Sequence, residues 1–192
     1  ATVKNFEMEL FLIKYLNQNE GIRHIFIESG YCDAQLLNRY LATGDESILK
    51  GMMNNLKGTF AYSQGTFNFY KSIYEYNKTL PEDKKLELIG VDVQHQTPTG
   101  MDYIISLLPE KEAPEVIKTE LSALQLMHKS QNYRMADLTA LLKSVEETHK
   151  TVYKDYLGTN YEAFNEGLIS ILQLFECDYG DNASIREKKM IE

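Results

Sequence analysis

The sequence predicts an α/β fold with a few-stranded, parallel sheet and a large helical portion. Three observations carry this. HIFIESG, residues 24–30, reads as a short buried strand, with β-branched Ile25 and Ile27, aromatic Phe26, and Gly30 to end it. LELIGVDVQ, residues 86–94, reads as a second strand that also ends in polar groups. From Pro98 onward only helical periodicity is visible. The expected organisation is one domain: residues 1–97 as a βα portion with strands near 22–29 and 86–93, and 98–192 as its helical portion. Two strands alone make a poor sheet, because three or more are normally needed.

Each element has its own signal. Phe6, Leu10, Ile13 and Leu16 recur at helical spacing over residues 3–19, and Gly21 closes that segment. After the first strand, Leu36, Leu37, Tyr40 and Leu41 form an apolar stripe with Gly44 in a C-cap position. Asp45 or Ser47 opens a short helix carrying Ile48, Met52, Met53 and Leu56. Ser63 to Lys78 reads as helical, with Phe67, Tyr70 and Tyr74 on one face, and Pro81 with EDKK turns the chain into the second strand. Pro114 suits the first position of a helix whose apolar residues are Val116, Ile117, Leu121, Leu124 and Leu126. One long helix is expected from about Met135 to Leu157, stopping at Gly158. Asn160 then caps a helix with Phe164, Leu168, Ile171, Leu172 and Leu174 on its apolar face, and Asn182 or Ser184 opens a last one.

Composition narrows the function classes. At 192 residues and 43% hydrophobic the chain can bury a core. Its net charge of −8 disfavours nucleic acid and anionic membranes as partners. No apolar run reaches the length of a bilayer span, and the N-terminus lacks the features of a signal peptide. Cys32 and Cys177 have no metal or redox spacing and read as small buried hydrophobes. The compartment stays open, with the cytoplasm favoured.

No nucleophile elbow, phosphate loop or dinucleotide fingerprint is present. The four histidines are far apart in sequence, so neither a metal nor another cofactor is expected from them. His24 reads as structural, and His128 and His149 as solvated residues on helices. His95 differs, because it follows Asp92 and Gln94 at a strand end, where open α/β sheets bind ligands. Glu28 holds the equivalent place on the first strand: it either caps the next helix, pairs with an arginine, or serves a catalytic partner. Asp92 divides the same way, with helix capping near Thr97 as its plainer role. The aromatic stretch FAYSQGTFNFYKSIYEY reads as core, although its tyrosines also suit a pocket for a large, partly apolar ligand. Arg186 reads as a surface residue.

The residues around HIFIESG, the LIGVDVQ segment and DNASIREKKM occur in the order of three signatures of the erythromycin esterase family, which the chain resembles. The resemblance implies an erythromycin esterase-like hydrolase that opens a macrolide lactone or related ester by activating water, without a serine nucleophile. Glu28 is then a carried-over catalytic carboxylate, and Asp92, Gln94, His95 and Arg186 are substrate-binding positions. The family's Gly-Glu-x-x-His element would place its histidine, the general base, immediately before Ala1, so the chain is expected to be inactive alone. Position 9 carries Glu where the family pattern has an active-site arginine, which reverses the charge there. Two other readings stand beside this one: a non-catalytic module binding haem or another small molecule through His95, and a helical domain that self-associates through its sheet edge.

Overall fold

A computed structural model describes residues 3–59 and 61–179. The chain is mostly helical with a small parallel sheet, and it divides into two compact units: Ala1–Glu28 with Asp33–Gly90, and Ser29–Cys32 with Val91–Glu192.

The first unit contains α1 (Val3–Glu20), β1 (His24–Ile27), most of α2 (Tyr31–Thr43), α3 (Glu46–Asn55), α4 (Gln64–Asn77) and β2 (Glu87–Gly90). β1 and β2 pair in parallel, with Ile25 opposite Leu88 and Phe26 opposite Ile89. A parallel pair needs a long crossover, and α2 to α4 supply it. Local chemistry sets the helix ends. The Asp45 carboxylate accepts from the Ser47 N–H at 2.9 Å, and the Ser63 hydroxyl accepts from the Thr66 N–H at 3.1 Å. Gly44, at φ +72°, ends α2 in a conformation that side chains disfavour, and a Cβ there would strike the Tyr74 ring.

Two asparagines explain how so small a sheet stands. The Asn77 side chain donates to the Leu86 carbonyl at 3.0 Å and accepts from the Leu86 N–H at 2.9 Å. Asn38 does the same for Leu88, with both bonds at 2.8 Å. The amide of a side chain thus replaces the peptide of a third strand along the outer edge of β2. Buried backbone groups must be paired somewhere, and here helices α4 and α2 pair them. Leu36, Leu37, Tyr40, Leu49, Ile73 and Leu88 fill the core beneath.

The second unit is helical: α5 (Thr97–Ser106), α6 (Glu115–Ser130), α7 (Met135–Lys143), α8 (Lys150–Leu157) and α9 (Tyr161–Tyr179). α5 and α9 approach closely at paired glycines. A Cβ on Gly100 would lie 2.6 Å from Ile171 Cγ1, and one on Gly167 would lie 2.5 Å from Ile104 Cγ2. Each glycine therefore receives the isoleucine that lies four residues from the other glycine, one turn along the same face. Pro114 sits one place earlier than expected, at the N-cap of α6. On α6, Ile117, Leu121 and Leu124 are buried as the periodicity requires, whereas Val116 and Leu126 face solvent.

The long helix expected from Met135 to Leu157 is interrupted. Ser144–Thr148 forms a π-turn in which the His149 N–H donates to the Ser144 carbonyl at 2.8 Å. Glu120, on α6, draws the Ser144 hydroxyl into hydrogen bonds at 2.8 and 3.0 Å, and the Tyr161 hydroxyl donates to the Val145 carbonyl at 3.1 Å. The backbone widens by one residue to satisfy these partners. No helix among the described residues is long and apolar enough to cross a membrane.

Candidate functional site

The peptide after β2 is irregular and runs straight into α5, so residues 91–96 have no ladder to hold them. Asp92 organises this segment. Its N–H donates to the Ser29 carbonyl at 3.2 Å, and one carboxylate oxygen accepts from the Val93 N–H at 2.8 Å. The other oxygen meets His95 Nε2 at 3.0 Å. A buried carboxylate needs such partners, since an uncompensated charge in the interior is very costly.

All four histidines face a carboxylate: His24 with Glu87, His95 with Asp92, His128 with Asp102, and His149 with Glu120. Burial separates them. The Asp92 side chain is 0% exposed and its imidazole 38% exposed. The carboxylates facing His24, His128 and His149 are 53%, 43% and 31% exposed, so water weakens each of those pairs. Only the Asp92–His95 pair sets a fully buried carboxylate against an accessible imidazole. An ionised carboxylate only accepts, so the hydrogen bond assigns the His95 proton to Nε2 and leaves Nδ1 as the basic nitrogen. That arrangement can hold a water or hydroxyl and take its proton.

Gln94 is fully buried, and its side-chain nitrogen donates to the Gln96 carbonyl at 3.2 Å. It packs so closely on Gly30 that a Cβ at Gly30 would collide with the Gln94 side chain and backbone. Gln94 is therefore held tightly against Gly30. The structure brings Asp92 and His95 together, with Gln94 beside them. Glu28 belongs to the first unit, where it is exposed one residue beyond β1. Arg186 lies outside the described residues. Glu9 is exposed on α1.

The family model for erythromycin esterase matches residues 18–181. The chain belongs to the erythromycin esterase family. The matched stretch contains HIFIESG and LIGVDVQ, while the third motif runs on beyond it. Among solved structures, a succinoglycan biosynthesis protein shares 15% identity at a TM-score of 0.57, over 96% of this chain and 47% of its own. A protein from Bacillus cereus shares 21% identity over 90% of this chain and 44% of its own, at a TM-score of 0.48. An erythromycin esterase carrying a histidine-to-asparagine mutation, in its open conformation, shares 17% over 93% and 50%, also at 0.48. At such identities the likeness to the first of these concerns the fold alone. The chain spans about half the length of that structure (47%). No curated protein matches it.

In this member of the erythromycin esterase family, sequence reasoning missed one polar cluster. Ser144 Oγ lies 2.9 Å from His149 Nδ1, and the Tyr153 hydroxyl donates to Glu120 at 2.7 Å. Burial, and then the Glu120 hydrogen bond, drive the Tyr153 phenol far above its ordinary range. His149 is therefore a bonded member of this knot rather than a solvated residue. Its only sequence signal was the i, i+5 spacing of Ser144 and His149, which no helical period singles out. Among the described residues, no three His, Cys, Asp or Glu side chains converge as a metal site would require.

Proposed function

We propose that this chain forms part of a hydrolase that cleaves a macrolide lactone or a related ester by activated water. The observation that carries the reading is the Asp92–His95 pair, a fully buried carboxylate holding a half-open imidazole at 3.0 Å. Membership of the erythromycin esterase family supports the same chemistry. In this reading the Asp92 carboxylate holds His95 in one tautomer and one orientation, and His95 Nδ1 accepts a hydrogen bond from the substrate or the attacking water. Glu28 is carried into this reading as a catalytic carboxylate by the family resemblance alone. The principal base in this reading is the histidine of a Gly-Glu-x-x-His element, a motif that the 192 residues do not contain. Arg186 completes the substrate side.

The test compares hydrolysis of erythromycin and of p-nitrophenyl acetate by two proteins: the 192-residue chain, and the same chain joined to a Gly-Glu-x-x-His element. Turnover is expected only in the second, and His95→Gln is expected to lower it by about 10²-fold or more. Asp92→Asn should act in the same direction by releasing the tautomer. Turnover by the short chain that Glu28→Gln abolishes would overturn the reading, as would turnover in the longer protein that ignores His95→Gln.

A further inference from the structure

The first unit contains a cavity of about 630 Å³ between α3 and the start of α4. Its size falls in the range of small-molecule sites. Glu46, Lys50, Met53 and Asn54 line it from α3, spaced so that they share one helix face. Tyr62, Ser63, Gln64 and Phe67 line it from the aromatic stretch. That stretch was the motif whose polar-tipped rings suited a partly apolar ligand.

The lining has two chemically distinct parts. Met53, Tyr62 and Phe67 give an apolar, polarisable surface suited to a ring system. The other part is charged. Glu46 is bonded by two ammonium groups, Lys71 at 2.7 Å and Lys50 at 3.0 Å, and the Asp45 carboxylate also acts on Lys50. The Lys50 side chain is 62% exposed, and an exposed pair of this kind contributes little. Lys50 can therefore leave Glu46 for another anion at small cost, while Lys71 still neutralises Glu46. Asn54 and Gln64 add amide groups beside it.

We infer that this cavity binds an amphipathic carboxylate, its ring system against Met53, Tyr62 and Phe67 and its carboxylate on Lys50. The inference does not rest on the ester-hydrolysis reading, because it uses none of Glu28, Asp92 or His95. An anion there gains a charge-assisted hydrogen bond, and its apolar body leaves water. A cation of the same shape meets Lys50 with like charge and binds less tightly.

The experiment is a titration of the isotope-labelled 192-residue protein with 2-naphthoate, followed by amide chemical shifts, with 2-naphthylmethylamine as the cationic counterpart. The expected result is saturable shifts confined to residues 46–54 and 62–67, at naphthoate concentrations no higher than about millimolar, as suits one ion pair and one ring. Lys50→Gln, at an exposed site, should weaken naphthoate about tenfold, and Lys50→Glu should transfer the preference to the amine. Equal binding of the amine by the unmodified protein, shifts centred elsewhere, no saturable shifts, or a Lys50→Gln protein with undiminished affinity would each overturn the inference.

Discussion

Single side chains carry much of this structure where a larger fold would use a whole strand. Asn77 is 2% exposed and satisfies both backbone groups of Leu86, itself 5% exposed. Replacing it by Ala leaves a buried N–H and a buried carbonyl unpaired, at roughly 1–3 kcal/mol each. Asn77→Ala is therefore expected to lower stability by about 2–4 kcal/mol, read as a lower urea midpoint at constant slope. Asn77→Asp keeps the acceptor for the Leu86 N–H but turns an oxygen toward its carbonyl, so it should rescue less than half of the loss. An Asn77→Ala midpoint equal to the parent's would refute the edge-capping role. Little of this was legible beforehand, because an asparagine late in an amphipathic helix looks like any polar residue. Asp92 and His95 were legible as a pair of candidates, since both follow an apolar run directly. What the sequence could not show is that the Asp92 side chain is fully withdrawn from water while His95 is not, because burial is a tertiary property.

At the scale of elements, the helix starts at Asp45 and Ser63 and the stop at Gly44 were readable, because capping is local chemistry over three or four residues. The break in Met135–Leu157 was not, since the agent is Glu120 on another helix. Ser144→Ala removes the hydroxyl that Glu120 and His149 share, leaving a carboxylate that is still bonded by Tyr153. A loss of about 1–2 kcal/mol is expected, together with chemical-shift changes confined to the π-turn and the facing part of α6. A protein whose shifts around Ser144 do not move would show that the turn has another cause. The crossing of α5 and α9 escaped the sequence for the same reason: nothing local to either helix marks Gly100 and Gly167 as places for a neighbour's isoleucine. Gly167→Ala puts a methyl where Ile104 already lies, and overpacking of this kind costs about 1–3 kcal/mol. Gly167→Ala combined with Ile104→Leu, which removes the Cγ2 branch that the new methyl meets, should recover part of that stability in thermal unfolding. A double variant less stable than Gly167→Ala alone would mean that the glycine is needed for something other than space.

For the molecule as a whole, the two units differ in how they bury polar groups, yet both bury tyrosines. The sequence holds 13 tyrosines and no tryptophan. Among the described residues, burial as the leading cause raises the phenols of Tyr31, Tyr40, Tyr70, Tyr133, Tyr153, Tyr156 and Tyr161 above their ordinary value of 10.0. For Tyr40 and Tyr70, of the first unit, the rise reaches about 12, with Glu46 adding to it at Tyr40 and Asp33 and Glu9 at Tyr70. A raised folded value means that the fold favours the neutral phenol. The stability linked to these groups is therefore complete below pH 10 and is lost as the pH climbs toward 12. Several phenols acting together make that loss steep, because the unfolded chain releases all their protons while the folded chain releases few. Far-ultraviolet dichroism should stay unchanged until the pH climbs above 10. The buried phenolates should then appear in one cooperative step, coincident with loss of helix. A phenolate titration that runs to completion while the helical signal holds would mean that the interior admits charge, and that the tyrosines do not tie the two cores to neutral pH.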